Sequence, residues 1–114
     1  MRVHSADGRL IVRGRLSSGS TGWVLAARAS CYRRTIRLEI SGARGPGRPR
    51  ASVEDHEYEA IIEGASAGRY LLRVNHVWLL SPDLGEILVM PAYEGAVVVT
   101  PGGSRPAGCD RGGD

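Results

Sequence analysis

The chain has 114 residues, enough for one modest hydrophobic core and no second. Hydrophobic residues make up 42% of it, which excludes a disordered polymer, and no apolar run approaches the ~20 residues of a transmembrane helix. All fifteen basic residues are arginine and the formal charge is +3, a mild excess that suits an anionic partner; without lysine, a phosphate-cradling loop of the Lys-dependent kind is excluded.

Period-two alternation dominates the sequence and predicts strands. Leu10 to Leu16 places Leu10, Val12 and Leu16 on one face and Ile11, Arg13 and Arg15 on the other. Ser17 to Gly22 reads as a turn. Trp23 to Ala29 follows as a strand with Trp23, Leu25 and Ala27 inward. Thr35 to Ser41 alternates most cleanly, with Ile36, Leu38 and Ile40 inward and Arg37 and Glu39 outward. Gly42 to Pro49 is rich in Gly and Pro and predicts a loop. Glu54 to Glu63 sets Tyr58, Ala60 and Ile62 against Glu57, Glu59 and Glu63. Gly64 to Gly68 is a tight corner.

Arg69 to Trp78 places Tyr70, Leu72, Val74 and His76 inward. Leu79 to Gly85 carries the turn signal Ser81-Pro82-Asp83. Glu86 to Thr100 reads as a last strand broken near Pro91 and Gly95, with a bulge or a sheet edge there. From residue 101 the composition falls to Gly, Pro, Ser, Arg and Asp, which predicts a mobile tail over 101–114 after a single domain over 1–100. The whole predicts an all-β antiparallel sandwich of about seven strands.

The stretch from Ile62 to Val74, with Gly64, Gly68 and Tyr70, resembles the corner between the fifth and sixth strands of bacterial Ig-like and fibronectin-III-like modules. It is also similar to carboxypeptidase regulatory-like domains, with Ala65 and Ala67 where their Leu and Pro stand. The resemblance implies a corner glycine and a tyrosine whose hydroxyl bonds back to the backbone. It also implies a non-enzymatic module that spaces, adheres or assembles.

The residues themselves carry no catalytic pattern. Glu54, Asp55, Glu57 and Glu59 crowd one strand, but alternation turns Glu57, Glu59 and Glu63 to solvent, as expected of a solvated strand face. His4, His56 and His76 show no metal-ligand spacing, and His76 is expected as a half-buried packing residue with a hydrogen-bond partner. Gly64-Ala65-Ser66-Ala67-Gly68 matches Gly-x-Ser-x-Gly in letters only, because it joins two strands with no helix after it. No cofactor is expected.

Charge is the remaining signal. Arg33, Arg34, Arg37, Arg44, Arg48 and Arg50 against the single acid Glu39 give residues 31–50 a formal charge of +5. Gly45 to Arg50 resembles an AT-hook, with Pro46 standing where one groove-entering arginine belongs. Nucleic-acid binding is therefore one alternative. The acids of residues 54–63 adjoin this block and pair with it within the domain or between copies. Cys31 and Cys109 permit one disulfide, an intermolecular bridge or two free thiols. Self-association or a protein partner is the leading expectation. A small-ligand or carbohydrate module using Trp78 or Tyr93 as an aromatic platform is a further alternative. The compartment is open between cytoplasm and an exported form from which a signal peptide has been removed.

Overall fold

The computed structural model describes residues 1–19, 21–48, 50–81 and 84–101, with backbone alone at 81. Seven strands run in chain order: β1 (Arg2–Ala6), β2 (Arg9–Ser18), β3 (Trp23–Tyr32), β4 (Thr35–Arg44), β5 (Glu54–Ile62), β6 (Gly68–Ser81) and β7 (Glu86–Val99). No helix occurs among the described residues. Two sheets form the sandwich, one ordered β1-β2-β5 and the other β3-β4-β6-β7.

The expected all-β class is found. All neighbouring strands are antiparallel except β4 and β6, which run parallel from Thr35↔Leu71 to Gly42↔Trp78. Alternation does not distinguish the two senses of pairing. The parallel pair exists because β5 lies in the other sheet, so the chain leaves β4, crosses over and returns as β6.

β1 was not among the expected strands, since Val3 is its only large apolar residue turned toward the core cluster. Its signal lies in Asp7-Gly8, a two-residue hairpin turn with both φ angles positive (49° and 78°) between the partners Ala6 and Arg9. β4 continues past the expected end at Ser41 to Arg44, because Gly42 lies under the Trp78 ring and Trp23 pairs with Arg44. β6 likewise runs on to Ser81, into the segment expected as a turn. β7 is one strand and not a broken one: a bulge at Ala92, between Pro91↔Asn75 and Tyr93↔Val74, absorbs the proline.

The core is aliphatic. Leu10, Val12, Ile36, Leu38, Ile40, Leu72, Val74 and Val99 are almost wholly buried between the sheets. Alternation explains the set: its members on β2, β4 and β6 lie two residues apart, and Val99 lies two from the buried Val97. Burying each side chain stabilises the fold by roughly 1.5–3 kcal/mol before conformational entropy is counted. Ala27, expected inward, is exposed. β3 is an edge strand, and beside it the sheets part around a small gap of about 160 Å³ lined by Leu25, Ala27, Ile40, Tyr58 and Ala60.

Two glycines admit aromatic rings. A Cβ on Gly14 would lie 2.3 Å from the Tyr58 hydroxyl, and one on Gly42 would lie 2.5 Å from the Trp78 ring. Each ring covers the glycine directly opposite it in the register. The Trp78 indole in turn meets Trp23 edge-on at 4.8 Å.

Candidate interaction surfaces

The acidic strand β5 lies beside β2, and the register sets Glu57 opposite Arg15 and Glu59 opposite Arg13. Both become ion pairs, Arg13–Glu59 at 2.6 Å and Arg15–Glu57 at 2.7 Å, with Arg9–Glu63 looser at 3.7 Å. The Glu57 hydrogen bond holds Arg15 still more firmly protonated than a free guanidinium. Ser17 donates to Asp55, and Glu54 faces His56 at 3.2 Å. Glu57, Glu59 and Glu63 are thus partnered inside the domain by arginines of β2, and Asp55 and Glu54 by Ser17 and His56. These pairs are solvent-exposed, and each contributes roughly 0–1 kcal/mol.

The arginine block is spread along β4. Arg33 and Arg34 form the β3–β4 turn, both with positive φ (49° and 65°). Arg33 lies over the Tyr32 ring at 5.3 Å and Arg34 over Tyr70 at 5.1 Å. Arg44 sits at the other end of the strand, over Trp23 at 4.5 Å. Ten residue steps, or about 33 Å of strand, separate Arg34 from Arg44. Arg48 is exposed in the following loop; Arg50 is hydrogen-bonded through its backbone to Thr21, and Pro49 lies outside the described residues.

Arg37 is directly opposite Arg73 across the β4–β6 pair. With Arg33, Ser30, Tyr32 and Thr35 they line a surface pocket of about 340 Å³. Arg73 also faces Glu94 at 3.6 Å. Sequence reasoning missed Arg73, because only the parallel register brings it beside Arg37. Cys31, on the same rim, is not a free thiol. Cys109 lies outside the described residues, as does nearly all of the segment expected as a tail.

A third surface has no charge. Beyond the last β4 pairing, at Gly42↔Trp78, β6 and β7 continue as a two-stranded arm. Ile87 lies on this arm, and Leu88, Val89 and Met90 lead into it opposite Trp78, Val77 and His76. The four are consecutive and all about half exposed, and Leu80 and Leu84 are exposed beside them. Alternation should bury every second residue of such a strand or make it polar. Here Leu88 and Met90 continue the inner face while Ile87 and Val89 lie on the outer one, and neither face is covered. The sequence shows this run only as an unbroken apolar stretch, which reads equally well as a buried strand.

Trp78 and Tyr93 differ from an exposed platform: Trp78 is buried against Trp23, and Tyr93 is half-buried against the core. His76 has the expected hydrogen-bond partner, its Nε2 lying 2.8 Å from the Tyr58 hydroxyl, and is buried where a half-buried residue was expected. Among the described residues no group of His, Cys, Asp and Glu is placed to hold a metal ion, and no helix is long and apolar enough to cross a membrane.

The fold and its surfaces define a two-sheet all-β sandwich with an apolar β-arm. The chain matches no protein-family model, no curated protein and no solved structure.

Proposed function

We propose that the chain is a non-catalytic protein-interaction module, an Ig-like sandwich whose working surface is the β6–β7 arm. The observation that carries this is the four-residue apolar run Ile87–Met90, half exposed on both faces of an edge strand. Contiguous apolar surface of this kind marks interaction sites in folded proteins. The core between the sheets, by contrast, is packed mainly with aliphatic side chains, with the small gap beside β3.

The Ig-like part of the reading is supported by the corner before β6. The Tyr70 hydroxyl donates to the Ser66 carbonyl at 2.7 Å, and Gly64 takes a positive φ of 85°. The parallel β4–β6 pair departs from the all-antiparallel sheets of that family.

The reading is tested by placing a photocrosslinking residue at position 88 or at position 13 in cells that produce the chain. A discrete protein adduct from position 88 and none from position 13 supports it. No adduct from position 88 overturns it.

A second reading, nucleic-acid binding, is favoured by one observation: Arg33, Arg37 and Arg73 converge on a pocket that also presents the Ser30 and Thr35 hydroxyls. Such binding would weaken steeply with salt and be lost in Arg37→Ala.

A further inference from the structure

We infer that the occupant of the arm is a second copy of this chain, paired antiparallel along the free edge of β7 over Glu86–Met90. This rests on the interaction reading above and names its partner.

The first ground is the backbone. β7 is the last strand of its sheet, so its outer row of N–H and C=O groups has no strand beside it among the described residues. Farther along the arm, past Trp78, β6 has also left β4 behind, and the pairs Leu79↔Ile87 and Ser81↔Glu86 stand as an isolated ribbon. An isolated two-stranded ribbon is marginal in water. A further strand on its edge would satisfy the backbone and cover side chains in one step.

The second ground is where the edge is blocked. Exposed edges are commonly guarded by charge, proline or a bulge. β7 has the proline and the bulge at Pro91 and Ala92, and Glu94 beyond them. Before Pro91 only Glu86 guards it. The unguarded stretch is therefore Glu86–Met90, centred on Leu88. A two-fold axis normal to the sheet through Leu88 sets Ile87 opposite Val89 of the copy, two β-branched side chains that suit cross-strand packing. The same axis sets Glu86 opposite Met90, so the two Glu86 carboxylates lie at opposite ends and do not meet. It also keeps inner face with inner face, so each apolar face of one arm continues into that of the other.

The third ground is area. Leu80, Leu84, Ile87, Leu88, Val89 and Met90 leave on the order of 600 Å² of apolar surface open per copy, at the upper end for a soluble monomer. A standard stable interface takes about 800 Å² from each partner. The open apolar surface approaches that size, and the pairing draws directly on its Ile87–Met90 part. Residues 102–114 contain no large aliphatic or aromatic side chain.

The test is light scattering coupled to size exclusion on the full chain over a wide concentration range, with variants Val89→Lys and, at the opposite edge strand, Val24→Lys. The expected result is a dimer that strengthens with salt and persists in Val24→Lys. In Val89→Lys, with unchanged circular dichroism, its dissociation constant should rise roughly tenfold or more. Leu88→Cys should give a disulfide-linked dimer under oxidation that the parent chain does not form. A monomer at every concentration, a dimer indifferent to Val89→Lys, or binding to phosphatidylcholine vesicles in place of dimerisation would overturn the inference. A monomer that still forms a discrete adduct with another protein from position 88 overturns the dimer and leaves the interaction reading standing. A monomer with no adduct overturns both.

Discussion

The Tyr58 hydroxyl and the His76 imidazole meet at 2.8 Å, joining β5 of one sheet to β6 of the other across the core. The rings stand edge to face, 5.5 Å between centroids. Burial keeps both neutral: it pushes the Tyr58 phenol up to about 12 and holds the His76 imidazole below its ordinary value. Removing the hydroxyl in Tyr58→Phe leaves a buried ring nitrogen without this partner and is expected to cost about 1–3 kcal/mol in a urea melt.

The same pair sets a pH dependence. His76 binds its proton less readily folded than unfolded, so the unfolded chain takes up more protons below about 6.5. The His76 contribution to stability is therefore complete above that value and is lost as the pH drops from there toward the lowered folded-state value. Urea melts between pH 8 and pH 5 should show this loss, and His76→Gln should reduce it. An unchanged slope in His76→Gln would remove His76 as the cause.

Gly14→Ala and Gly42→Ala are expected to destabilise by about 1–3 kcal/mol each, because a methyl group is driven into Tyr58 in one and Trp78 in the other. Gly14→Ala should be non-additive with Tyr58→Phe, since its methyl meets the hydroxyl, which Phe lacks, while the ring carbons at 2.5 and 2.9 Å remain in its way. Gly42→Ala should be additive with Tyr58→Phe. A double-mutant cycle in urea distinguishes these outcomes.

Arg33 occupies the first position of a two-residue turn with φ at 49°, where a side chain other than Asn, Asp or Gly is strained. Arg33→Asn is expected to raise stability by about 0.5–1 kcal/mol, measured as a shift in the urea midpoint at constant m-value. Arg33 lies over the exposed Tyr32 ring but Arg34 covers the buried Tyr70 ring, so Arg34→Asn should gain less or lose.

Arg37 and Arg73 are like charges placed side by side across β4 and β6. Arg37→Glu turns the pair into an opposite-charge one and is expected to stabilise by roughly 0.2–1 kcal/mol at low salt, with the gain shrinking as salt rises. A destabilised Arg37→Glu would show that this face needs its positive charge for folding.

Much of the architecture is legible in local pattern. Ile36, Leu38 and Ile40 alternate with Arg37, Glu39 and Ser41, so the inner face of β4 follows from period two alone. The Asp7-Gly8 pair carried the β1–β2 hairpin in the same local way, because two positive φ angles select those residues. The glycine-flanked corner before Tyr70 is local too, its hydroxyl reaching back only four residues to Ser66.

Tertiary structure alone decided which strands lie side by side, since that depends on contacts distant in sequence. It gave the β5 acids to Arg13 and Arg15, whose pairing spans more than forty residues, and put Arg73 beside Arg37 through a parallel register that alternation cannot encode. It also decided the fate of Ile87–Met90. An apolar run is the same string whether it is buried in mid-sheet or open at an edge. Sheet order, with β7 outermost, left this one in water.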